Sequence, residues 1–256
     1  MSRRALLFDV GNARVKWGVV EGEEIIHNGS LDHAELRRVG FDVLLRHLPK
    51  DVDYALASNV AGQDFGARLA RAVGIHIGGD LHFARSESEH YGLRSGYSQP
   101  RQLGVDRWAA MIGARAEFDG ALCVVDAGSA LTMDAIDADG QHLGGQIMPG
   151  LRLLADSLAN ETSGIAASSF DPGTTTEPFN WFASTTAEAV AAGALNVLCG
   201  AIERSVSQLH EAGLSPELVL TGGDASRILE ALGGTAHLRP NLVLTGLMHM
   251  LPAKSE

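Results

Sequence analysis

The sequence is poor in several things at once. Of its 256 residues only two are cysteines, Cys123 and Cys199, both inside apolar segments, and no Cys/His spacing resembles a zinc site. A disulfide framework is therefore excluded as the organiser of the fold, and both thiols are expected to be buried as small hydrophobes. Aromatics make up 5%, and Trp17, Trp108 and Trp181 are expected to serve packing. Basic residues are outnumbered, 20 against 31 acidic ones, giving a formal charge of −11 and a pI near 5.3. A surface of that sign repels a nucleic-acid backbone, so no nucleic-acid partner is expected. Apolar runs are short against the ~20 residues of a membrane span. The stretch after Met1-Ser-Arg-Arg ends at Asp9, too soon for a signal-peptide core, so a cytoplasmic location and no membrane partner are expected. GxxxxGK[ST] and GxGxxG are both absent, so any nucleotide must be held another way.

What is present is an ordinary globular composition, 45% hydrophobic and 20% charged, at a length that suits one large core or two modest ones. The chain also resembles itself. Leu7-Phe8-Asp9-Val10-Gly11-Asn12-Ala13 matches Val124-Val125-Asp126-Ala127-Gly128-Ser129-Ala130 at an offset of 117 residues. Each copy is followed by a strand, a tight turn at Glu21-Gly22 or Asp139-Gly140, and a second strand, so each half opens with a β-meander. Helical spacing follows over residues 35–48 and 64–73 around a short strand at 54–57, and again over 106–118, 151–159, 186–212 and 225–232, with a strand at 218–221. The pattern is repeated α/β. It predicts two lobes, residues 1–119 and 120–256, with an active-site cleft between them. Residues 163–180 read as a long loop that covers a site or a subunit contact.

A lone Asp-x-Gly hairpin is ordinary turn chemistry. Two copies at the same place in two halves point instead to Asp9 and Asp126 meeting at a triphosphate and a Mg²⁺ ion, which needs only one or two carboxylates besides the phosphates. Lys16, on the first hairpin, reads equally as a phosphate partner and as a solvated strand charge. Thr221-Gly222-Gly223-Asp224 lies between a strand and a helix; it suits a close backbone approach to an adenosine at Gly222 and Gly223, and also suits a plain tight connection. In Gly104-Val105-Asp106-Arg107, Asp106 reads as a helix cap and Arg107 as a surface charge. A compatible reading makes Asp106 the acceptor of a substrate hydroxyl proton and Arg107 the anchor for an acidic substrate. Gly144-Gly145-Gln146-Ile147-Met148-Pro149-Gly150 shapes the exit of the second meander.

A duplicated Asp-x-Gly meander with a late Thr-Gly-Gly resembles the actin-like sugar kinase superfamily. Within it, Asp9–Lys16, Gly104–Arg107, Asp126–Asp134 and Gly144–Gly150 are similar in order and spacing to the type III pantothenate kinases. The resemblance implies an α/β fold of duplicated actin-like (ribonuclease H-like) lobes, each a mixed five-stranded sheet flanked by helices. It implies ATP-dependent phosphorylation of pantothenate, with Asp106 as catalytic proton acceptor. ATP contacts would come from Asp9, Gly11, Asn12, Arg14, Lys16 and Ser129, with Asp9 also reaching the Mg²⁺ of Mg-ATP. Asp126 would hold a monovalent cation, K⁺ or NH₄⁺. Pantothenate contacts would come from Tyr97, Gly104, Val105, Asp106 and Arg107, and from Thr186 of the neighbouring subunit of a homodimer. Ala13 and Ser129 stand where the family pattern usually has Thr; Ala13 loses a hydroxyl worth on the order of 1 kcal/mol to a phosphate contact. Two rivals share the fold: a nucleotide-dependent accessory factor acting on a protein partner, and a kinase for another small hydroxy metabolite.

Overall fold

The structure is a computed structural model that describes residues 4–161, 181–234 and 236–253. The loop expected at 163–180 lies outside the described residues. The chain divides into two compact units, Met1–Glu117 with Asn241–Glu256, and Phe118–Pro240.

The first unit begins with the expected meander: β1 (Arg4–Val10), β2 (Arg14–Glu21) and β3 (Glu24–Asp32). Two short helices follow, α1 (His33–Val39) and α2 (Asp42–Leu45). Helical spacing runs continuously through 35–48, but Gly40 takes a φ of 89° and breaks it. Next come β4 (Tyr54–Asn59), α3 (Gln63–Ile77) and β5 (Leu81–Phe83), then a small hairpin of β6 (Glu89–His90) and β7 (Leu93–Arg94), a 3₁₀ turn at Pro100–Gln102, and α4 (Val105–Glu117). The sheet order is β3-β2-β1-β4-β5, antiparallel through the meander and parallel from β1 to β5. Alternation decides the faces. Leu6, Phe8 and Val10 of β1, Val15, Trp17 and Val19 of β2, and Ala55 and Ala57 of β4 join the core under α1, α2 and α3.

The second unit repeats this order. Its meander is β8 (Leu122–Ala127), β9 (Ala130–Ile136) and β10 (His142–Pro149). After it come α5 (Leu151–Glu161), α6 (Thr186–Glu211), β11 (Glu217–Thr221), α7 (Ala225–Ala231) and β12 (His237–Leu238). The order β10-β9-β8-β11-β12 matches the first sheet strand for strand. One face, with Cys123, Val125 and Ala127 of β8 and Leu131 and Met133 of β9, packs with Leu195, Leu198 and Ile202 of α6. By length and composition α6 alone among the described helices could cross a membrane, but that apolar stripe lies in this core. Thr185 caps it: the hydroxyl accepts from the Glu188 N–H at 3.3 Å and donates to its carboxylate at 2.9 Å.

The last helix, α8 (Leu242–His249), belongs with the first unit, whereas the sequence placed residues 120–256 together in the second lobe. Backbone contact explains the return. A Cβ on Gly246 would overlap the Ala109 carbonyl, and one on Gly113 the Leu242 carbonyl, so two glycines let α4 and α8 touch main chain to main chain. Together these helices cover the face of the first sheet that its core leaves open. Trp17 and Trp108 are buried, as packing residues should be, but Trp181 is 43% exposed.

Candidate active site

Asp9 occupies the penultimate position of β1 and is 9% exposed. Because Phe8 and Val10 face the core, Asp9 faces the other way, and its register partners do the same: Lys16 on β2 and Ser58 on β4. The turn after β1 is closed by the Gly11 N–H donating to the Arg14 carbonyl at 3.1 Å, which leaves Asn12 and Ala13 exposed at its tip. Arg14 is drawn sideways by an ion pair to Asp32 at 3.3 Å, a partner that strand spacing alone does not reveal.

Asp126 repeats that placement at the penultimate position of β8, with Thr132 on β9 and Thr221 on β11 as its register partners. Here the Gly128 N–H donates to the Ala130 carbonyl at 3.1 Å, and Ser129 is exposed at the tip. This turn is one residue shorter than the first, so Lys16 corresponds to Thr132 and not to Met133, the residue a constant offset selects. Gly222, at a φ of 98°, packs against the same turn: a Cβ there would lie 2.5 Å from Asp126 Oδ1, and the Asp224 N–H donates to the Ala127 carbonyl at 3.0 Å. Gly223 is exposed. Gly150 closes the other side, donating to the Ser129 carbonyl at 3.0 Å where any side chain would strike the Gly128 and Ser129 carbonyls.

In the first unit, α4 opens at Val105, with the Trp108 N–H donating to the Gly104 carbonyl at 3.0 Å. The Asp106 carboxylate folds back over this first turn. Its Oδ1 accepts from the Arg107 N–H at 2.8 Å and would lie 2.6 Å from a Cβ on Gly104, so the glycine makes room for the carboxylate. Arg107 is 6% exposed rather than a surface charge, and its guanidinium donates to the Tyr97 hydroxyl at 3.1 Å over the same ring. Tyr97, Gly104, Val105, Asp106 and Arg107 thus form one patch within the first unit, beside the sheet face that carries Asp9, Lys16 and Ser58. Thr186 starts α6 in the second unit and is exposed.

Two further features escaped the sequence. Asp134 and His142 form a buried pair, Oδ1 to Nε2 at 2.9 Å, on the Asp126 face of the second sheet. Burial, reinforced by the Asp134 charge, pushes the Cys123 thiol up to about 12, and burial with Glu203 pushes Cys199 up to about 11, so neither thiol is a nucleophile near neutral pH. Ser58 and Thr221 are buried and their hydroxyls find no partner among the described residues, although strand alternation would have put both beside the aspartates.

The chain was compared with known proteins. A model of the type III pantothenate kinase family matches residues 5–208. The type III pantothenate kinase of Azoarcus sp. (strain BH72) is 43% identical over 94% of this chain and 88% of its own length. That of Nitrosococcus oceani is 36% identical over 98% and 95%. Among solved structures, a Baf family transcriptional activator, so described as putative, from Campylobacter jejuni superposes with a TM-score of 0.57 at 23% identity over 94% of each chain. A protein described as a putative 2-dehydro-3-deoxygalactonokinase from Sinorhizobium meliloti gives 0.55 at 14% identity over 95% and 94%. These two likenesses speak for the fold, the duplicated actin-like architecture expected from the paired meanders. The family match takes in both aspartate turns and the Asp106 patch, and with relatives aligned along nearly the whole length, the chain belongs to the type III pantothenate kinase family.

Proposed function

We propose that this protein transfers the terminal phosphoryl group of ATP to the primary hydroxyl of pantothenate, giving 4'-phosphopantothenate and ADP, the first step of coenzyme A synthesis. The observation that carries the reading is the match to the family over residues 5–208, a span that holds all three acidic positions. In this reading Asp106 accepts the hydroxyl proton as the oxygen forms its bond to the γ-phosphorus, and the bond from that phosphorus to the β,γ-bridging oxygen breaks to release ADP. Arg107, oriented by Tyr97, takes the pantothenate carboxylate, and the Gly104–Val105 backbone lies against the rest of the substrate. Lys16 and the turn that carries Gly11, Asn12 and Arg14 take the phosphates, with Ser129 from the second turn and Gly222-Gly223 at the adenosine.

Two cations belong to this reading. Mg²⁺ would neutralise the phosphates beside Asp9, through water. A monovalent ion, K⁺ or NH₄⁺, would sit at Asp126, where the Asp126 carboxylate and the unpartnered Thr221 hydroxyl form an all-oxygen donor set of the right hardness. Exposed Leu143 and Ile147 on β10 and Val197 on α6 favour a homodimer in which Thr186 completes the partner's pantothenate site. A cytoplasmic location follows from the need for ATP.

The test is ATP consumption with and without pantothenate, with the product identified by mass. Pantothenate-dependent turnover yielding a mono-phosphorylated product is expected. Turnover that ignores pantothenate, or prefers another hydroxy acid, would overturn the assignment.

A further inference from the structure

Ser58 is the least exposed polar side chain near the first aspartate turn: 0% exposed, with a hydroxyl that has no hydrogen-bond partner among the described residues. Buried hydroxyls are ordinarily satisfied, so an orphan demands an explanation. Packing does not supply one. Ala57 faces the core, and Ser58 points to the opposite face, level with Asp9 on the neighbouring parallel strand and on the same side as Lys16. The face is roofed by α4, whose first turn carries Asp106, and by α8. The acceptor level with this donor in strand register is the carboxylate of Asp9.

We propose that Ser58 is a positioning residue for Asp9: its hydroxyl is the donor that fixes the Asp9 carboxylate in the orientation it needs when Mg-nucleotide is bound. With one carboxylate oxygen held by Ser58, the other is directed toward the hydrated cation and the phosphates, and the hydroxyl that lacks a partner in the free protein acquires one in the complex. The effect belongs to the nucleotide half of the reaction and leaves pantothenate recognition at Arg107 and Tyr97 untouched. This proposal rests on the ATP-dependent reading above.

The experiment uses the full-length protein and three variants, Ser58→Ala, Ser58→Thr and Ser58→Cys. Melting temperature is measured without ligand and with Mg-ADP, and KM is measured separately for ATP and pantothenate. Ser58→Ala should raise the KM for ATP about tenfold and shrink the Mg-ADP-induced stabilisation, because a hydrogen bond to a charged group is lost. The KM for pantothenate should stay constant, and the ligand-free melting temperature should be unchanged or higher, since no existing hydrogen bond is removed. Ser58→Thr, which keeps the donor, should restore nucleotide binding, and Ser58→Cys should fall between. A purely structural role predicts the reverse: a lowered ligand-free melting temperature and an intact response to Mg-ADP, and that result overturns the proposal. If the unmodified protein itself shows no response to Mg-ADP, the ATP reading fails and takes this inference with it. If it responds and Ser58→Ala responds equally, only the inference fails.

Discussion

The two acidic turns share a scaffold and differ in what flanks it. Asp9 and Asp126 sit one residue from the end of equivalent strands in sheets of identical order, facing away from their cores. Asp9 has Lys16 on one side and Ser58 on the other; Asp126 has Thr132 and Thr221. A carboxylate beside an ammonium suits an anion that arrives with its own cation, while a carboxylate between two hydroxyls is a set of oxygen donors suited to a bare cation. The turn is the same in both units, and the neighbour on the adjoining strand differs: Lys16 beside Asp9, Thr132 beside Asp126.

The largest expected effect lies outside both turns. Asp106→Asn should lower kcat by about 10²- to 10⁴-fold with the melting temperature retained, since an amide cannot take the proton; full activity in that variant removes Asp106 from the mechanism. Next comes the comparison itself. Lys16→Met should weaken ATP binding by about 10- to 100-fold, the value of a hydrogen bond between charged groups. Thr132→Val, at the matching place, should leave ATP binding nearly unchanged and alter only the response to K⁺. Equal losses in ATP affinity would erase the distinction.

Packing separates the units as well. Gly246→Ala forces α8 away from α4 in the first unit and should cost about 1–3 kcal/mol in denaturant melts. Gly200→Ala on α6 of the second meets nothing within 4 Å among the described residues and should stabilise by about 0.5–1 kcal/mol. Restoring the missing hydroxyl with Ala13→Thr should tighten ATP binding several-fold, about 1 kcal/mol by titration calorimetry.

The smallest effect concerns pH. Burial, helped by Arg37 and opposed by Asp32, holds His33 below its usual 6.5. The unfolded chain therefore binds the extra proton first, so stability is full above pH 6.5 and falls as pH drops through that value toward the folded pKa. His33 stacks on Phe65 with ring centroids 4.3 Å apart and its Nε2 makes no hydrogen bond among the described residues, so His33→Phe should flatten the melting profile between pH 5 and 6.5. Parallel profiles for the two proteins would contradict this.

Much of this was legible in the sequence for physical reasons. Asp-x-Gly after an apolar strand is rare enough in duplicate to mark both turns, and alternation of apolar residues marks the meanders. Residues 225–232 and 186–212 were read to within one residue of α7 and α6. The edge strands β5 and β12 are too short for any period to register. The counterpart of Lys16 was hidden by a one-residue difference in turn length. The return of α8 depends on two glycines meeting across helices far apart in sequence, which leaves no local signature. Arg107 looked like a surface charge because its partner, Tyr97, lies in an irregular segment.

The proposed phosphoryl transfer requires both turns to respond to the same nucleotide. Hydrogen exchange of the full-length protein with and without a non-hydrolysable Mg-ATP analogue tests it most directly, because the amides of residues 11–14 and 128–130 report separately. The account predicts slowed exchange at both turns with the same dependence on nucleotide concentration. Protection confined to one turn, with the other unchanged at saturation, would contradict it.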